Sequence, residues 1–414
     1  MSAIESSAPS RWHVRAHTVR ETVELLDAIW TGAAHDVDAT SVSEDERQRA
    51  LGDPRLASHL DAPGSIRVRT RTSVLTLVVV APRPETAERA MAVINALAQR
   101  HPSRAIVVAP GDFDGPASTD AHIYAACQLR DGSGAEVCTE QILVKTGGEL
   151  SQHLARVVVP LLIHDLPVVL WWPDDPAFGT RQFGELAGLA DRLLVDSGSF
   201  GGDGLERLAG LARTVGDGVL VGDIGWLRLG LWRELLAGLF DHPLLTPELG
   251  TIRSVRIDVA RPAATVRLAK AAYLCGWLAA MLGWEIAQPL QPDADGESYR
   301  GAFRRRRHEI AVEIRPVRAA LSGYLRAAGS LIRVELEAGR ERAQVRARIT
   351  RQQDHLLATA DWNGARVCRR AGRLEPFDET PFVAEALERP GRDRIYERSL
   401  LRAVRCSGLG EELT

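Results

Sequence analysis

A strand, a helix and a second strand follow one another within residues 73–109, and this order constrains the fold more than any other feature of the chain. Residues 73–80 are rich in Val, Leu and Thr, which is typical of a buried strand. Pro84 suits the first turn of the next helix, because no hydrogen bond is required from its nitrogen there. Apolar residues then recur at helical spacing before residues 104–109 form another strand. The pattern predicts a right-handed βαβ unit within an α/β domain.

The segment PLLIHDLPVVLWWPDDP, residues 160–176, ends an apolar strand with two tryptophans and a doubly acidic turn. Trp171 and Trp172 lie at the carboxyl end of that strand, where open α/β sheets usually bind ligands. Neighbouring strand residues point to opposite faces, so one ring can pack inward while the other faces a crevice or a partner. Packing of both rings in the core is the alternative, and physics alone favours it.

At 414 residues the chain exceeds the size at which one core usually stops growing, which predicts more than one domain. We expect a leader with one helix in residues 1–64. An α/β domain is expected in residues 65–245, with a mixed, mostly parallel sheet and flanking helices. An α+β domain with an antiparallel sheet is expected in residues 246–414, because its last strand-like runs are too closely spaced for crossover helices.

Two cysteines fall opposite one another if residues 131–134, Asp-Gly-Ser-Gly, form the turn of a hairpin. In this register Cys127 faces Cys138, and directly opposed strand residues have Cβ atoms about 4.5–5.5 Å apart. Such a pair suits an easily reduced redox switch, whereas two buried thiols that pack as small hydrophobes are the favoured alternative. The five cysteines show no CxxC motif and no metal-ligand spacing, so we expect no bound metal and a largely reduced, cytoplasmic protein.

The charges of the chain indicate neither a nucleic-acid nor a membrane partner. There are 51 basic and 54 acidic residues, and a net charge of −3 creates no general attraction to polyanions. The apolar run in residues 271–283 is shorter than the roughly 20 residues that cross a bilayer. Near the C-terminus, Arg346, Arg348 and Arg351 alternate with apolar residues, which predicts that one face of their strand is solvated.

The common catalytic motifs are absent from the sequence. It lacks the phosphate-binding, dinucleotide-binding, zinc-protease and nucleophile-elbow signatures, so we expect neither a cofactor nor an enzyme. One alternative stays open, since Asp112 and Asp114 follow a strand as in metal-binding DxD motifs. Two carboxylates can hold a divalent cation against a diphosphate. On that interpretation the chain is a metal-dependent nucleotide-sugar or sugar-phosphate enzyme.

Four longer motifs occur in a fixed order: HPSRAIVVAPGD (101–112), PLLIHDLPVVLWWPDD (160–175), DRLLVDSGSF (191–200) and GDIGWLRLGLWRELLAGLFD (222–241). Together they resemble the OpcA family, the glucose-6-phosphate dehydrogenase assembly and activator proteins. The resemblance implies a non-catalytic partner of glucose-6-phosphate dehydrogenase, the first enzyme of the oxidative pentose phosphate pathway. Such an allosteric activator must bind the active oligomer more tightly than the inactive state, because equal affinity shifts no equilibrium.

Tryptophan is enriched at the centres of protein interfaces, so the tryptophans in these motifs are candidates for partner binding. The predicted site has two patches: Trp171, Trp172, Asp174 and Asp175 in the first, and Trp226, Arg228 and Trp232 in the second. We predict that Trp172→Ala leaves the fold intact and lowers activation of the dehydrogenase.

Overall fold

The structure is a computed structural model that describes residues 10–31, 70–71, 73–129, 136–262, 266–319, 328–340, 343–375, 378–389 and 391–410. Contacts between Cα atoms divide the chain into two compact units. The first is Met1–Pro173 with Thr180–Leu193, and the second is Asp174–Gly179 with Leu194–Thr414. The domain boundaries that we placed near residues 64 and 245 stay predictions.

The first unit is built on a mixed sheet whose central strands run parallel. Its strands are β1 (Ser10–Ala16), β2 (Thr70–Arg71), β3 (Leu75–Val80), β4 (Ser103–Pro110), β5 (Ser118–Leu129), β6 (Glu136–Gly147) and β7 (Val168–Trp172). Its helices are α1 (Val19–Thr31), α2 (Pro84–Leu97), α3 (Glu149–Gln152), α4 (Leu154–Val158) and α5 (Arg181–Ala187), with a 3-10 turn at Val159–Leu161. The strand order in this unit is β1-β5-β6-β4-β3-β7, with β2 beside β6. The neighbours from β6 to β7 are parallel, whereas β1 and β5 pair antiparallel.

The predicted βαβ unit is confirmed as β3, α2 and β4. The two strands pair parallel, and Pro84 occupies the first turn of α2 as expected. All residues of β3 and β7 are buried, which explains why their sequences are continuously apolar: parallel strands of this kind are covered on both faces.

The predicted hairpin has the predicted register. Strands β5 and β6 pair antiparallel, with Cys127 opposite Cys138 and Leu129 opposite Glu136. The side chains of both cysteines lie outside the described residues. The sequence analysis did not predict β1, which adds an antiparallel edge strand to β5. The segment SRWHVRA mixes charged and apolar residues, as edge strands with one wet face do.

The second unit contains most of the antiparallel pairing. Its strands are β8 (Arg192–Val195, which contains the boundary between the units), β9 (Leu220–Asp223), β10 (Ile252–Ala260), β11 (Glu285–Pro292), β12 (Tyr299–Arg305), β13 (His308–Val317), β14 (Leu331–Arg340), β15 (Ala343–Arg351), β16 (His355–Trp362) and β17 (Ala365–Arg373). Its helices are α6 (Leu205–Gly216), α7 (Ile224–Leu227), α8 (Gly230–Leu239), α9 (Ala269–Leu282), α10 (Thr380–Glu388) and α11 (Arg394–Cys406), with 3-10 turns at Ser197–Ser199 and Thr246–Thr251.

Strands β10 to β17 form an eight-stranded sheet in the order β11-β12-β13-β10-β14-β15-β16-β17. The predicted antiparallel succession near the C-terminus is confirmed as β14, β15 and β16. Strand β10 lies at the centre of the sheet and was not predicted; it pairs parallel with β13, while the other neighbours are antiparallel. The fold therefore has one mostly parallel and one mostly antiparallel sheet.

Helices α9 and α11 of the second unit approach each other closely at Gly276. A Cβ atom on Gly276 would lie 2.3 Å from the carbonyl oxygen of Ser399, so this contact requires a residue without a side chain. Helix α9 is apolar on all sides, as expected for a core helix. Among the helices of the described ranges, none combines the length and the apolar character that a membrane span requires.

Candidate functional site

Strand β7 gives neither Trp171 nor Trp172 an exposed face. Their exposed fractions are 0% and 4%, and the Trp172 ring lies 5.6 Å from that of Phe183 in α5. Both rings therefore pack in the core, which is the alternative that physics alone favoured. The two rings point to opposite faces of the strand because successive side chains alternate along it, and packed side chains cover both faces. Whether the segment contacts a partner stays a prediction.

The acidic turn that follows β7 belongs to the second unit. Asp174 is buried, whereas Asp175 is partly exposed and accepts a hydrogen bond from Nε of Arg207 at 3.1 Å. The rigid turn thus directs one carboxylate toward a cation of α6. A partner would meet Asp175 already paired with an arginine.

Asp223, at the end of β9, organises the segment that carries the second predicted patch. Its Oδ1 accepts hydrogen bonds from the backbone N–H groups of Gly225 and Trp226, which caps the start of α7. The same oxygen accepts from the backbone and the hydroxyl of Ser197. Its Oδ2 accepts a 2.7 Å bond from the hydroxyl of Tyr273 in α9. The buried carboxylate therefore fixes where α7 begins.

A buried polar network extends from Asp223 to the last helix. The hydroxyl of Tyr273 lies 3.3 Å from that of Tyr396 in α11, and the Trp226 ring lies 5.7 Å from both tyrosine rings. Burial raises the pKa of Asp223, and the bond from Tyr273 opposes that rise. Burial, and then the charge of Asp223, raises the pKa of Tyr273 well above its ordinary value. All three side chains are at most 2% exposed, so the network joins buried parts of the second unit.

The second predicted patch surrounds the short break between α7 and α8. Trp226 and Trp232 are both 1% exposed, so neither ring is free to contact a partner. Nη1 of Arg228 donates a short hydrogen bond to Oδ2 of Asp196, which joins it to the turn after β8. The guanidinium of Arg228 also lies 5.3 Å from the centre of the Phe382 ring. Arg228 and Trp232 share a feature that the sequence did not suggest, namely a common cavity.

This cavity has a volume of about 360 Å³ and lies within the second unit. Six of its lining residues are cationic, namely Arg228, Arg233, Lys270, Arg351, Arg373 and Arg389. Three are acidic, namely Glu234, Glu375 and Glu385. Trp232, Phe382, Ser330 and several leucines complete the walls. We call this feature the basic cavity.

Burial acts directly on the cations of the basic cavity. Burial, and then the neighbouring charge of Arg228, lower the pKa of Lys270 to about 8, while Asp196 opposes the change. Burial also lowers the pKa of Arg233 and of Arg351 to about 10. The pKa of Asp196 is lowered: burial opposes this, but the charges of Arg228 and Lys270 outweigh it. Lys270, Arg233 and Arg351 thus bring poorly solvated positive charge to the cavity, whereas Arg373 and Arg389 are exposed.

Sequence reasoning missed Lys270, Arg233 and Arg351. It also assigned Arg351 to a solvated face, which is wrong: residues 346 and 348 share one face of β15, and residue 351 falls on the other. Arg351 is partly buried and donates from Nε to the carbonyl oxygen of Leu331 at 2.9 Å. One signal for Lys270 was available, because it is one of only two lysines among 51 basic residues and lies in an otherwise apolar helix.

Asp112 and Asp114 lie in an exposed loop after β4. Oδ1 of Asp112 accepts a hydrogen bond from the backbone N–H of Asp114 at 3.0 Å, which is a local turn. Within the ranges that the structure describes, no group of three or more His, Cys, Asp or Glu residues is placed to hold a metal ion. No finding supports the metal-dependent enzyme.

Models of two domain families match the chain in order. The glucose-6-phosphate dehydrogenase subunit N-terminal domain of OpcA proteins matches residues 94–212. The corresponding C-terminal domain matches residues 220–400. The two matches together cover about half of the first compact unit and most of the second.

Curated relatives carry the same family name. The chain is 27% identical over 319 residues to a protein of Nostoc punctiforme named for OpcA and the OxPP cycle. It is 26% identical over 315 residues to one of the same name from Synechococcus elongatus. These alignments cover 74% of this chain and 66% and 68% of the two relatives. The chain therefore spans about two thirds of the length of the curated relatives it matches.

Solved structures give only distant similarity. A 3-ketoreductase from Actinomadura kijaniata, solved with NADP, is 12% identical with a TM-score of 0.43, over 80% of this chain and 94% of that one. The WlbA dehydrogenase from Thermus thermophilus, solved with NAD and alpha-ketoglutarate, is 13% identical with a TM-score of 0.43, over 82% and 96%. Scores this low support no statement about the fold or chemistry of this chain.

Proposed function

Because the chain belongs to the OpcA family, we propose that it is a non-catalytic assembly factor and allosteric activator of glucose-6-phosphate dehydrogenase. The observation that carries the proposal is the ordered match of both family domains, over residues 94–212 and 220–400. On this proposal the chain acts in the oxidative pentose phosphate pathway of the cytoplasm, without a cofactor of its own. Its partner is the dehydrogenase, and neither a nucleic acid nor a membrane takes part.

Activation by binding requires a difference in affinity. The chain must bind the active oligomer of the dehydrogenase more tightly than the inactive form, since a ligand with equal affinity for two states shifts neither. A tenfold difference in affinity corresponds to about 1.4 kcal/mol. Such a difference is within reach of a few interface side chains.

An assay of NADPH formation tests the proposal directly. The dehydrogenase from the same organism is assayed at several glucose 6-phosphate concentrations, with and without a molar excess of this chain. We expect a lower Michaelis constant, together with a larger complex in size-exclusion chromatography. Bovine serum albumin at the same concentration controls for non-specific protection. An unchanged Michaelis constant and no co-elution would contradict the proposal.

We propose the two predicted patches as the regions that contact the dehydrogenase, with the four buried tryptophans supporting the surface rather than forming it. Trp172→Ala is expected to remove about 3–5 kcal/mol of stability, because it truncates a buried ring. Asp175→Ala is the better test, since its side chain is partly exposed. Asp114→Ala, on an exposed loop outside both patches, is the matched control. Weaker activation by the first variant alone would support the first patch.

The residues chosen at the sequence level also include a possible redox pair, Cys127 and Cys138, which we propose as a reversible cross-strand disulfide. Their opposed register in the β5–β6 hairpin supports the proposal. Titration with a thiol reagent after oxidation should then give two fewer free thiols than after reduction. Five free thiols under both conditions would leave the packing alternative.

We also propose, as the finer form of the fold, an α/β domain over residues 65–245 followed by an α+β domain over residues 246–414.

A further inference from the structure

The basic cavity collects more positive than negative charge, and its charged lining ranges from the buried Lys270 to the exposed Arg373 and Arg389. Its lining includes six cationic and three acidic residues. Arg228 binds Asp196, Arg389 binds Glu385 and Asp393, and the last two carboxylates also act on Arg233. Lys270 is only 7% exposed and lies next to Arg228. The buried carboxylate of Asp196 lies beside both and compensates part of this positive charge, and the other cations of the lining leave room for a further anion.

The cations of the cavity are held in place by the fold. The Arg233 guanidinium lies 3.6 Å from the centre of the Trp226 ring and donates to the carbonyl oxygen of Trp226. The Arg351 guanidinium lies 5.8 Å from the Trp232 ring and is bound through Nε to Leu331. Stacked and hydrogen-bonded guanidinium groups lose little freedom when a ligand binds, so the site is preorganised.

We propose that the basic cavity binds a small phosphate monoester. Lys270, Arg228 and Arg351 would hold the phosphate, with the buried hydroxyl of Ser330 as an additional donor, and the organic part would lie against Trp232 and Phe382. This inference does not depend on the proposed partner, because it rests on the cavity alone.

The chemistry of the walls selects this class of anion. Guanidinium groups bind phosphate oxygens through paired hydrogen bonds, and an ammonium group adds a compact positive charge. A dianion compensates more of the excess charge than a single carboxylate does. The volume of about 360 Å³ is at the lower end of the range for small-molecule sites. Aromatic and leucine side chains provide apolar contact for a carbon skeleton, which inorganic phosphate would leave unused.

Calorimetric titration of the whole chain tests the proposal with three probes: inorganic phosphate, glycerol 3-phosphate and glycerol. We expect one site per chain, tighter binding of glycerol 3-phosphate than of inorganic phosphate, and no binding of glycerol. Absence of saturable binding of both phosphates up to 10 mM would overturn the proposal. Equal affinity for the two phosphates would overturn the part that assigns an organic ligand.

Variants test whether the phosphate monoester binds in this cavity. Lys270→Met and Arg351→Gln should each weaken binding of glycerol 3-phosphate by about tenfold or more, as expected for the loss of one charge-assisted hydrogen bond. Arg304→Ala is the control, because this exposed arginine pairs with Glu285 and does not line the cavity. Unchanged affinity in both cavity variants, or equal loss in the control, would refute the assignment.

Chemical labelling of the unaltered chain gives an answer that does not depend on the folding of a variant. Pyridoxal 5′-phosphate forms an imine with a lysine amine and releases water, and borohydride then reduces the imine to a stable secondary amine. The only lysines are Lys145 and Lys270, so mass spectrometry can assign the label without ambiguity. We expect glycerol 3-phosphate to protect Lys270 and to leave Lys145 unaffected. Failure to label Lys270, or labelling that the phosphate does not reduce, would overturn the proposal.

Discussion

Replacing Lys270 by methionine should change the stability of the chain in a way that depends on pH. Burial and the charge of Arg228 lower the pKa of this lysine from its ordinary 10.5 to about 8 in the folded chain. The charged amine is therefore less favourable in the folded than in the unfolded state. That difference corresponds to about 3 kcal/mol, since one pKa unit is 1.36 kcal/mol. Methionine has a similar length and no charge, so Lys270→Met removes this destabilisation.

The direction of the pH dependence follows from proton binding. Below pH 8 the amine is charged in both states, and the folded chain bears the full destabilisation of about 3 kcal/mol. Between pH 8 and 10.5 the folded state has released its proton and the unfolded state has not, so the wild-type chain gains stability relative to the variant. The advantage of Lys270→Met should therefore fall from about 3 kcal/mol at pH 7 to about 1 kcal/mol at pH 10.

Urea unfolding followed by tryptophan fluorescence provides the measurement, because the chain has nine tryptophans. Free energies of unfolding are compared at pH 7, 8, 9 and 10, and the transition of the second unit is fitted separately if two transitions appear. Lys145→Met controls for the substitution itself, since Lys145 is exposed on β6. A difference between wild type and Lys270→Met that stays constant with pH would refute the reasoning, whatever its size.

Three further variants test the packing inside each unit. Arg104→Met removes the arginine that pairs with the buried carboxylate of Glu140, and it should lower the free energy of unfolding in urea by about 3–5 kcal/mol. The double variant with Glu140→Leu should regain most of that loss. Tyr273→Phe removes the donor to Asp223 and should cost about 1–3 kcal/mol in the same measurement, with little change in far-ultraviolet circular dichroism. Gly276→Ala should lower the midpoint of thermal unfolding, because overpacking of α9 against α11 costs about 1–3 kcal/mol; an unchanged midpoint would contradict that close contact.

The hydrophobic pattern of the sequence predicted those strands whose burial follows directly from that pattern. The sequence predicted β3, which is continuously apolar because both of its faces are covered. It also predicted β14, β15 and β16, which follow one another at short spacing and pair antiparallel. Strand β10 was missed although apolar and charged residues alternate over residues 255–259. Its parallel pairing with β13, a strand distant in sequence, was not predictable. Pairing of that kind depends on tertiary contacts, and no local pattern of residues contains it.

The candidate site was predicted less well, and the reason is also physical. Sequence spacing identified Arg228 and Trp232, but it could not show that Lys270, from another helix, lines the same cavity. The tryptophans were candidates for partner contact, yet large rings are buried first because they remove the most apolar area from water. Strict counting of strand parity would have separated Arg351 from Arg346 and Arg348.

The hydrogen bonds that join Tyr396, Tyr273 and Asp223 determine how this protein responds to truncation or fusion at its last helix. They connect the last helix to the residue that starts α7, and α7 leads directly to the wall of the basic cavity. A truncation that removes α11, or a fusion partner that pulls on it, would therefore loosen a binding surface that is distant along the chain.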